Sequence, residues 1–344
     1  MCISGRRKEF DGLRFILALC VILWHSKIYI EQIIPVKNYP FRGEIANVIF
    51  FMLSGLFVTF NRKLCFEEKN SYIKFICNKL KRIYPLYLFS IIYISIMYWG
   101  KRFLVANPKL LIRHILLIQS WTFHNNASAE LNGPTWFLSC LFFCWLITPI
   151  FIKCIKEKLA CIFFIVMITF FVAETVNSIE CSGIWRLWPI IAYFVGIILG
   201  EIDFSFNLRK SLILRMIFLM LVLILFGFSE VVCIAKCQYG VQYLLIIAFS
   251  MVLLMYMLAI PNNVINKLFK SKYLSAGGAL TMNIYIIHFP LMLTWDKLTY
   301  LKSHPEIWVL LAFLSIFILA YIIDKINIFI KHKVSLLLFN KDQL

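Results

Sequence analysis

Ten segments of the chain are long and apolar enough to cross a lipid bilayer as helices, each of which needs about 20 mostly apolar residues. Hydrophobic residues make up 62% of the chain and charged residues 15%, whereas soluble domains are about 25% charged. Lipid must therefore surround most of the chain, which excludes a disordered chain and a typical cytosolic enzyme. The segments are 13–33, 44–60, 84–99, 135–152, 159–177, 185–201, 211–230, 241–260, 278–296 and 307–330.

These segments predict an all-α, polytopic membrane protein, with one integral-membrane domain over residues 1–344 and a bundle of about ten transmembrane helices. The apolar run that follows the basic N-terminus ends in bulky residues, so we interpret it as a retained first helix and not as a cleaved signal peptide. Segment 109–121 contains Arg113 and His114 and is too short to span. We expect it to lie along the membrane surface as an amphipathic helix.

The formal net charge is +18, from 35 Lys and Arg against 17 Asp and Glu. With both termini in the cytoplasm, most of the basic residues fall in the cytoplasmic loops, as the positive-inside rule requires. The excess charge therefore orients the chain in the membrane and does not indicate a nucleic-acid partner. The 11 cysteines lie mostly in apolar runs, and none has zinc-site spacing with histidines. We expect neither a metal site nor a permanently bound cofactor.

Arg14 and His25 stand eleven residues apart on the first predicted helix. At about 100° per residue they share one face, separated by about 16 Å along the axis. Arg14 then lies at the cytoplasmic edge and His25 near the membrane midplane, and Asp11, one turn before Arg14, could pair with it. Arg14 could be a topological anchor, and His25 could simply form an interhelical hydrogen bond. Taken together, His25 as a general base and Arg14 as a cation nearer the cytoplasm suit catalysis on an anionic ligand.

A second histidine, His288, lies at midplane depth in the ninth segment, near Asn283 and Tyr285. Either a polar contact between helices or a site role explains it. Glu174 and Asn177 are explained by exposure near the outer membrane surface. Asp324, near the inner end of the last segment, could pair with Lys325 or a neighbouring loop. Ser54 next to Gly55 is explained by close helix packing.

Lys79 and Arg82 are three residues apart and therefore neighbours on a helix at the cytoplasmic mouth of the bundle. A basic pair in this place could hold phosphate groups. On charge alone, topological bias or contact with anionic lipid headgroups is the better explanation.

Five motifs in order resemble those of the acyltransferase family 3 membrane O-acyltransferases. FDGLRFILALCVILWHS (10–26) resembles the family's first helix, with an Arg, ten residues and a His. FFMLSGLFVT (50–59) resembles its second-helix motif, and NKLKRIYPLYL (78–88) its Arg-x-x-Arg stretch before a proline. GPTWFLSCLFFCWLITPIF (133–151) resembles its Trp-containing fourth motif, and YIIHFPL (285–291) its late Tyr-x-x-His-x-Pro motif.

The resemblance implies transfer of an acyl group, usually acetyl from acetyl-CoA as co-substrate, to a hydroxyl of a cell-surface or exported glycan such as lipopolysaccharide or capsule. The enzyme would lie in the bacterial cytoplasmic membrane, in contact with its lipids. His25 matches the family's essential histidine and Arg14 its first-helix arginine. Lys79 and Arg82 match the pair that engages CoA, and the supporting positions are Asp11, Ser54, Trp136, Ser139, Asn283, Tyr285 and His288.

Two positions depart from the family pattern. Lys79 replaces the first Arg of the pair, which keeps the charge but loses bidentate phosphate binding. Leu141 stands where many members carry a Glu, so an acidic role at that position is in doubt.

The residues leave several alternatives open. His25 could deprotonate the acceptor hydroxyl directly or carry the acyl group covalently. We expect acceptor contacts from the outer loops, including Trp121, His124, Asn132 and Trp136. Two rival interpretations remain: a flippase or transporter for a lipid-linked glycan, and a structural partner of a polysaccharide synthase. The sequence also leaves the oligomeric state open.

Overall fold

The computed structural model describes residues 7–35, 42–60, 69–99, 108–121, 131–156, 187–201, 212–234, 239–260 and 263–339. Within these ranges every regular element is helical and no strand occurs, in agreement with the predicted all-α class. The helices are α1 (Lys8–His25), α2 (Lys27–Ile33), α3 (Gly43–Phe60), α4 (Lys69–Ile94), α5 (Pro108–Ile115), α6 (Trp136–Lys156), α7 (Leu187–Glu201), α8 (Leu212–Ile234), α9 (Tyr239–Ala259), α10 (Val264–Phe269), α11 (Lys272–Gly277), α12 (Thr281–Trp295), α13 (Thr299–Lys302) and α14 (Pro305–Phe339).

Five stretches within the described residues are long and apolar enough to span a membrane: Gly43–Phe60, Tyr72–Met97, Gly133–Cys154, Gln242–Ala259 and Pro305–Ile330. A sixth is added if α1 and α2, which are bent by 75° relative to each other, count as one span. The helices α7 and α12 have 15 residues each and are shorter than a full crossing. The predicted segment 159–177 lies outside the described residues. The number of ten spans and the cytoplasmic termini therefore stay predictions.

The segment 13–33, predicted as one membrane helix, is two helices that meet at Ser26. The buried hydroxyl of Ser26 donates to the carbonyl of Ile22 at 2.9 Å, a bond that competes with the regular helix ladder and bends helices. Beyond the bend, Tyr29 in α2 donates to Asp296 at 2.7 Å and stacks on Trp308 with ring centroids 3.9 Å apart. Trp308 also donates to Asp296, at 2.8 Å. This three-residue clamp holds α2 against the start of α14.

The helix α3 occupies the centre of the bundle and packs against α1, α7 and α9. Glycines allow the closest of these contacts: a Cβ atom on Gly55 would lie 1.9 Å from the carbonyl oxygen of Tyr193, and one on Gly196 would lie 2.0 Å from that of Met52. Gly196 and Gly200 are four residues apart on α7, so they form a small-residue face of the kind that brings membrane helices together. The packing role predicted around Gly55 agrees with this geometry.

The segment 109–121 begins with α5, an amphipathic helix with Leu110 and His114 buried and Lys109 and Ile112 exposed, and its place along the membrane surface stays a prediction. The hydroxyl of Tyr84, in the middle of the span Tyr72–Met97, donates to the carbonyl of Ile115 at the end of α5. Tyr87 donates to the carbonyl of His114 at 2.7 Å, and His114 is fully buried. The next turn has Leu117 at a φ of 56°. Contacts to α4 thus satisfy backbone carbonyls at the end of α5 and hold the buried side of the segment against that helix.

Candidate active site

The two histidines singled out from the sequence lie side by side. His25 is the last residue of α1, and His288 is the central residue of α12. Their ring centroids are 5.2 Å apart, and the ring of Phe289 lies 5.6 Å from that of His25. The bend at Ser26 therefore ends α1 level with the middle of α12. Non-helical backbone at such a depth is tolerated where it is enclosed by protein or lines a water-filled space.

A hydrogen bond determines which ring nitrogen of His288 carries the hydrogen, whereas the ring of His25 is accessible. His288 is fully buried, and its Nδ1 lies 2.7 Å from the carbonyl oxygen of Tyr285. Because a carbonyl only accepts, Nδ1 carries the hydrogen, and the Nε2 of neutral His288 is then an acceptor. Among the described residues this Nε2 has no hydrogen-bond partner. The side chain of His25, by contrast, is exposed. The pair combines a positioned acceptor with a ring that a substrate can reach.

Tyr285 joins the histidine pair to the start of α6. Its hydroxyl donates to the carbonyl of Pro134 at 2.7 Å, and its ring lies 5.0 Å from that of Phe137. Phe50 of α3 completes this group, 6.4 Å from the ring of Tyr285. Trp136, the predicted fourth-motif residue, stacks on Phe51 with centroids 6.4 Å apart. The motifs of α3, α6 and α12 therefore form one aromatic wall beside His288.

Arg14 lies three turns below His25 on the same helix, as the spacing predicts. Its Nη1 is 3.9 Å from the carboxylate of Asp11, so the expected ion pair is present. Its guanidinium carbon lies 4.1 Å from the ring centroid of Phe57 on α3. The side chain of Arg14 keeps 31% of its surface exposed. A cation held in this way is oriented by its neighbours and still accessible to an anion.

The remaining predicted residues lie elsewhere in the bundle. Lys79 places its ammonium 5.5 Å from the ring of Trp145, and Arg82 is exposed on α4. Ser139 donates to the carbonyl of Leu117 at 2.6 Å. These contacts show where the three side chains lie. Their predicted roles in donor or substrate binding stay predictions.

The structure also shows the positions of three polar side chains that were predicted to lie near the substrate. Asn283 donates to the carbonyl of Ala320 at 3.2 Å, and this contact joins α12 to α14. Asn132 donates to Ser90 and to the carbonyl of Ile286, each at 3.1 Å, so its amide hydrogens connect α4 and α12. Ser54 is partly exposed on α3, and His124 lies outside the described residues.

Sequence reasoning missed two groups of residues. The clamp of Tyr29, Asp296 and Trp308 joins positions far apart in the chain, and no local pattern marks it. Glu44 and Asn47, in the first turns of α3, were taken as the start of an apolar span. Within the described ranges, no group of three or more His, Cys, Asp or Glu residues has the geometry of a metal site.

Comparison with known proteins assigns the family. The model of an acyltransferase domain, acyltransferase family 3, matches residues 7–325. Among curated proteins, a relative is the acyltransferase MdmB of Streptomyces mycarofaciens, which is 27% identical over 165 residues. The aligned region covers 44% of this chain and 41% of MdmB, so the similarity spans less than half of that relative's length. No solved structure matches the chain. Because the domain model covers nearly the whole chain, the protein belongs to acyltransferase family 3.

Proposed function

We propose that this membrane acyltransferase transfers an acetyl or other short acyl group from cytoplasmic acyl-CoA to a hydroxyl of a cell-surface or exported glycan. The reaction would take place within the cytoplasmic membrane of a bacterium. One observation carries the proposal: an exposed histidine, His25, ends a broken helix beside the buried and oriented His288. A general base of this kind, within the bundle, can serve a donor from one side and an acceptor from the other.

In the proposed mechanism, a nitrogen of His25 removes the proton of the acceptor hydroxyl. The resulting alkoxide attacks the thioester carbonyl, the carbon–sulfur bond breaks, and the proton passes from His25 to the departing CoA thiolate. His288 acts through its Nε2, which accepts a hydrogen bond from His25 and so selects the tautomer whose second nitrogen is the base. A separation of 5.2 Å between ring centroids suits such a bond after a small rotation of the exposed ring. If His25 instead attacks the thioester first, an acyl-histidine intermediate forms. The same two histidines then take part in the transfer.

Arg14 supports the donor side of this proposal. It lies about 16 Å from His25 along α1, so phosphates bound there would leave the extended pantetheine arm to reach His25. Its ion pair with Asp11 keeps the side chain oriented, and its exposed fraction leaves donors for a phosphate. Lys79 and Arg82 on α4 are candidates for further phosphate contacts.

The test compares two histidine variants in the native host. We expect His25→Ala to abolish O-acylation of the envelope glycan, measured by mass spectrometry. We expect His304→Ala to leave it unchanged, because this partly exposed histidine lies outside the candidate site and its Nδ1 contacts the carbonyl of Tyr300. Normal O-acylation in cells that contain His25→Ala at wild-type protein level would refute the catalytic role. A glycan that is acylated normally but absent from the surface would instead favour a flippase.

A further inference from the structure

The central helix α3 has a single stripe of partly exposed residues. All its other residues are buried, and the members of the stripe recur at intervals of three or four, so that the stripe winds slowly around the helix. The stripe consists of Glu44, Asn47, Phe50, Ser54, Phe57 and Phe60.

The middle of this stripe contacts the helices that carry the candidate active site. Phe50 contacts Phe137 of α6 and Tyr285 of α12, at 6.0 and 6.4 Å between ring centroids. Phe57 contacts Phe10 of α1 at 5.7 Å. These ring contacts place the stripe beside α1, α6 and α12 at Phe50 and Phe57.

Two contacts fix how far each part of the stripe lies from the histidine pair. The helices α1 and α3 are antiparallel: Gly43 abuts the ring of Trp24, where a Cβ atom would lie 2.8 Å from Cδ1, and Phe57 packs under Arg14. Since His25 directly follows Trp24, the first turns of α3 are level with His25. The other end of the stripe is level with Arg14.

At the level of His25 the stripe is polar. Glu44 and Asn47 stand one turn apart, and each presents a buried oxygen that has no hydrogen-bond partner among the described residues: Oε2 of Glu44 and Oδ1 of Asn47. Both atoms are acceptors, and buried acceptors are costly unless a donor meets them. Donors such as the hydroxyl groups of a substrate would satisfy both oxygens.

We propose that Glu44 and Asn47 bind the acceptor substrate, a polyhydroxylated glycan, through its hydroxyl groups. This inference rests on the proposed function. Hydroxyls supply the donors that the two oxygens lack, and the neighbouring ring of Phe50 offers an apolar surface to a sugar. Arg14 at the other end of the stripe suits the phosphates of a CoA donor. The acyl group and the hydroxyl thus approach His25 from opposite ends.

The experiment uses the purified full-length protein in phospholipid vesicles, with radiolabelled acetyl-CoA as donor. The acceptor is de-O-acylated total envelope glycan from a host strain that lacks the gene. Half-saturating concentrations of glycan and of acetyl-CoA are measured for wild type, Glu44→Gln and Asn47→Ala. The matched control is Glu31→Gln, in the exposed ion pair with Lys27 on α2.

We expect Glu44→Gln and Asn47→Ala each to raise the half-saturating glycan concentration at least about tenfold, which is the loss of one charge-assisted or buried hydrogen bond. The half-saturating acetyl-CoA concentration should stay within about twofold, and the control should change neither. If both variants match the control, the two oxygens are met by water and the inference is wrong. It is also wrong if donor and acceptor constants rise equally.

Should Glu44→Gln not fold, Asn47→Ala decides alone, because it removes atoms without adding bulk. Absence of any transfer by the wild type would instead refute the proposed function itself.

Discussion

The contact between α3 and α7 makes Gly196 a sensitive small residue for the position of the candidate site. A Cβ atom there would lie 2.0 Å from the carbonyl oxygen of Met52, whereas ordinary contacts are 3.4–4 Å. In Gly196→Ala the two helices must therefore separate by more than an ångström, because the opposing atom is backbone and cannot rotate away. Overpacking of this kind costs about 1–3 kcal/mol. We expect a melting temperature lower by about 2–10 °C.

The matched control is Gly227→Ala on α8, where a Cβ atom would meet nothing within 4 Å. It makes the same chemical change, and it should be neutral or stabilising because alanine favours the helix by about 1 kcal/mol over glycine. Both variants can be heated in detergent and scored by the fraction that still elutes as monodisperse protein. If Gly196→Ala melts with or above Gly227→Ala, the close approach of α3 and α7 is refuted. Acyl transfer by Gly196→Ala should also fall, since the first turns of α3 are level with His25.

Two other predictions concern charged groups. Arg14→Gln should raise the half-saturating concentration of acyl-CoA at least about tenfold, through loss of a charge-assisted phosphate contact, and leave that of the acceptor unchanged; equal donor constants for wild type and variant would remove Arg14 from the donor site. Asp296→Asn should lower the free energy of unfolding by about 1–3 kcal/mol, because Tyr29 and Trp308 both donate to this carboxylate. Unchanged thermal stability of that variant would show that the clamp does not hold α2 in place.

Much of the architecture follows from the sequence because it depends on local apolar periodicity. The helices α3, α6 and α9 lie where apolar runs predict them, and the eleven-residue spacing of Arg14 and His25 survives intact within α1. Such features need only the helical repeat and the length of a run. They do not require knowledge of what packs against them.

The features that could not be predicted depend on partners distant in the chain. The bend after His25 needs the clamp of Tyr29 with Asp296, 267 residues away. The position of α5 against α4 depends on tyrosines of α4 that donate to its last carbonyls. Glu44 begins an apolar helix and is ordinary in sequence. The structure alone distinguishes Glu44, because the residues of α3 outside the stripe are all buried.

The break at Ser26 also has an electrostatic consequence for His25. The peptide dipoles of α1 are aligned over the 18 residues Lys8–His25, and a helix that stops there places a partial negative charge of about half an electron at its carboxyl end. A positive charge at such a position is stabilised by about 0.3–2 kcal/mol, and the amino end of α2, which begins at Lys27, offsets part of this. Imidazolium is the form that His25 takes once it has removed the acceptor's proton. By ending α1 in the middle of the bundle, the bend places the negative end of the helix dipole beside His25. In the proposed mechanism this is the side chain whose charge changes during acyl transfer.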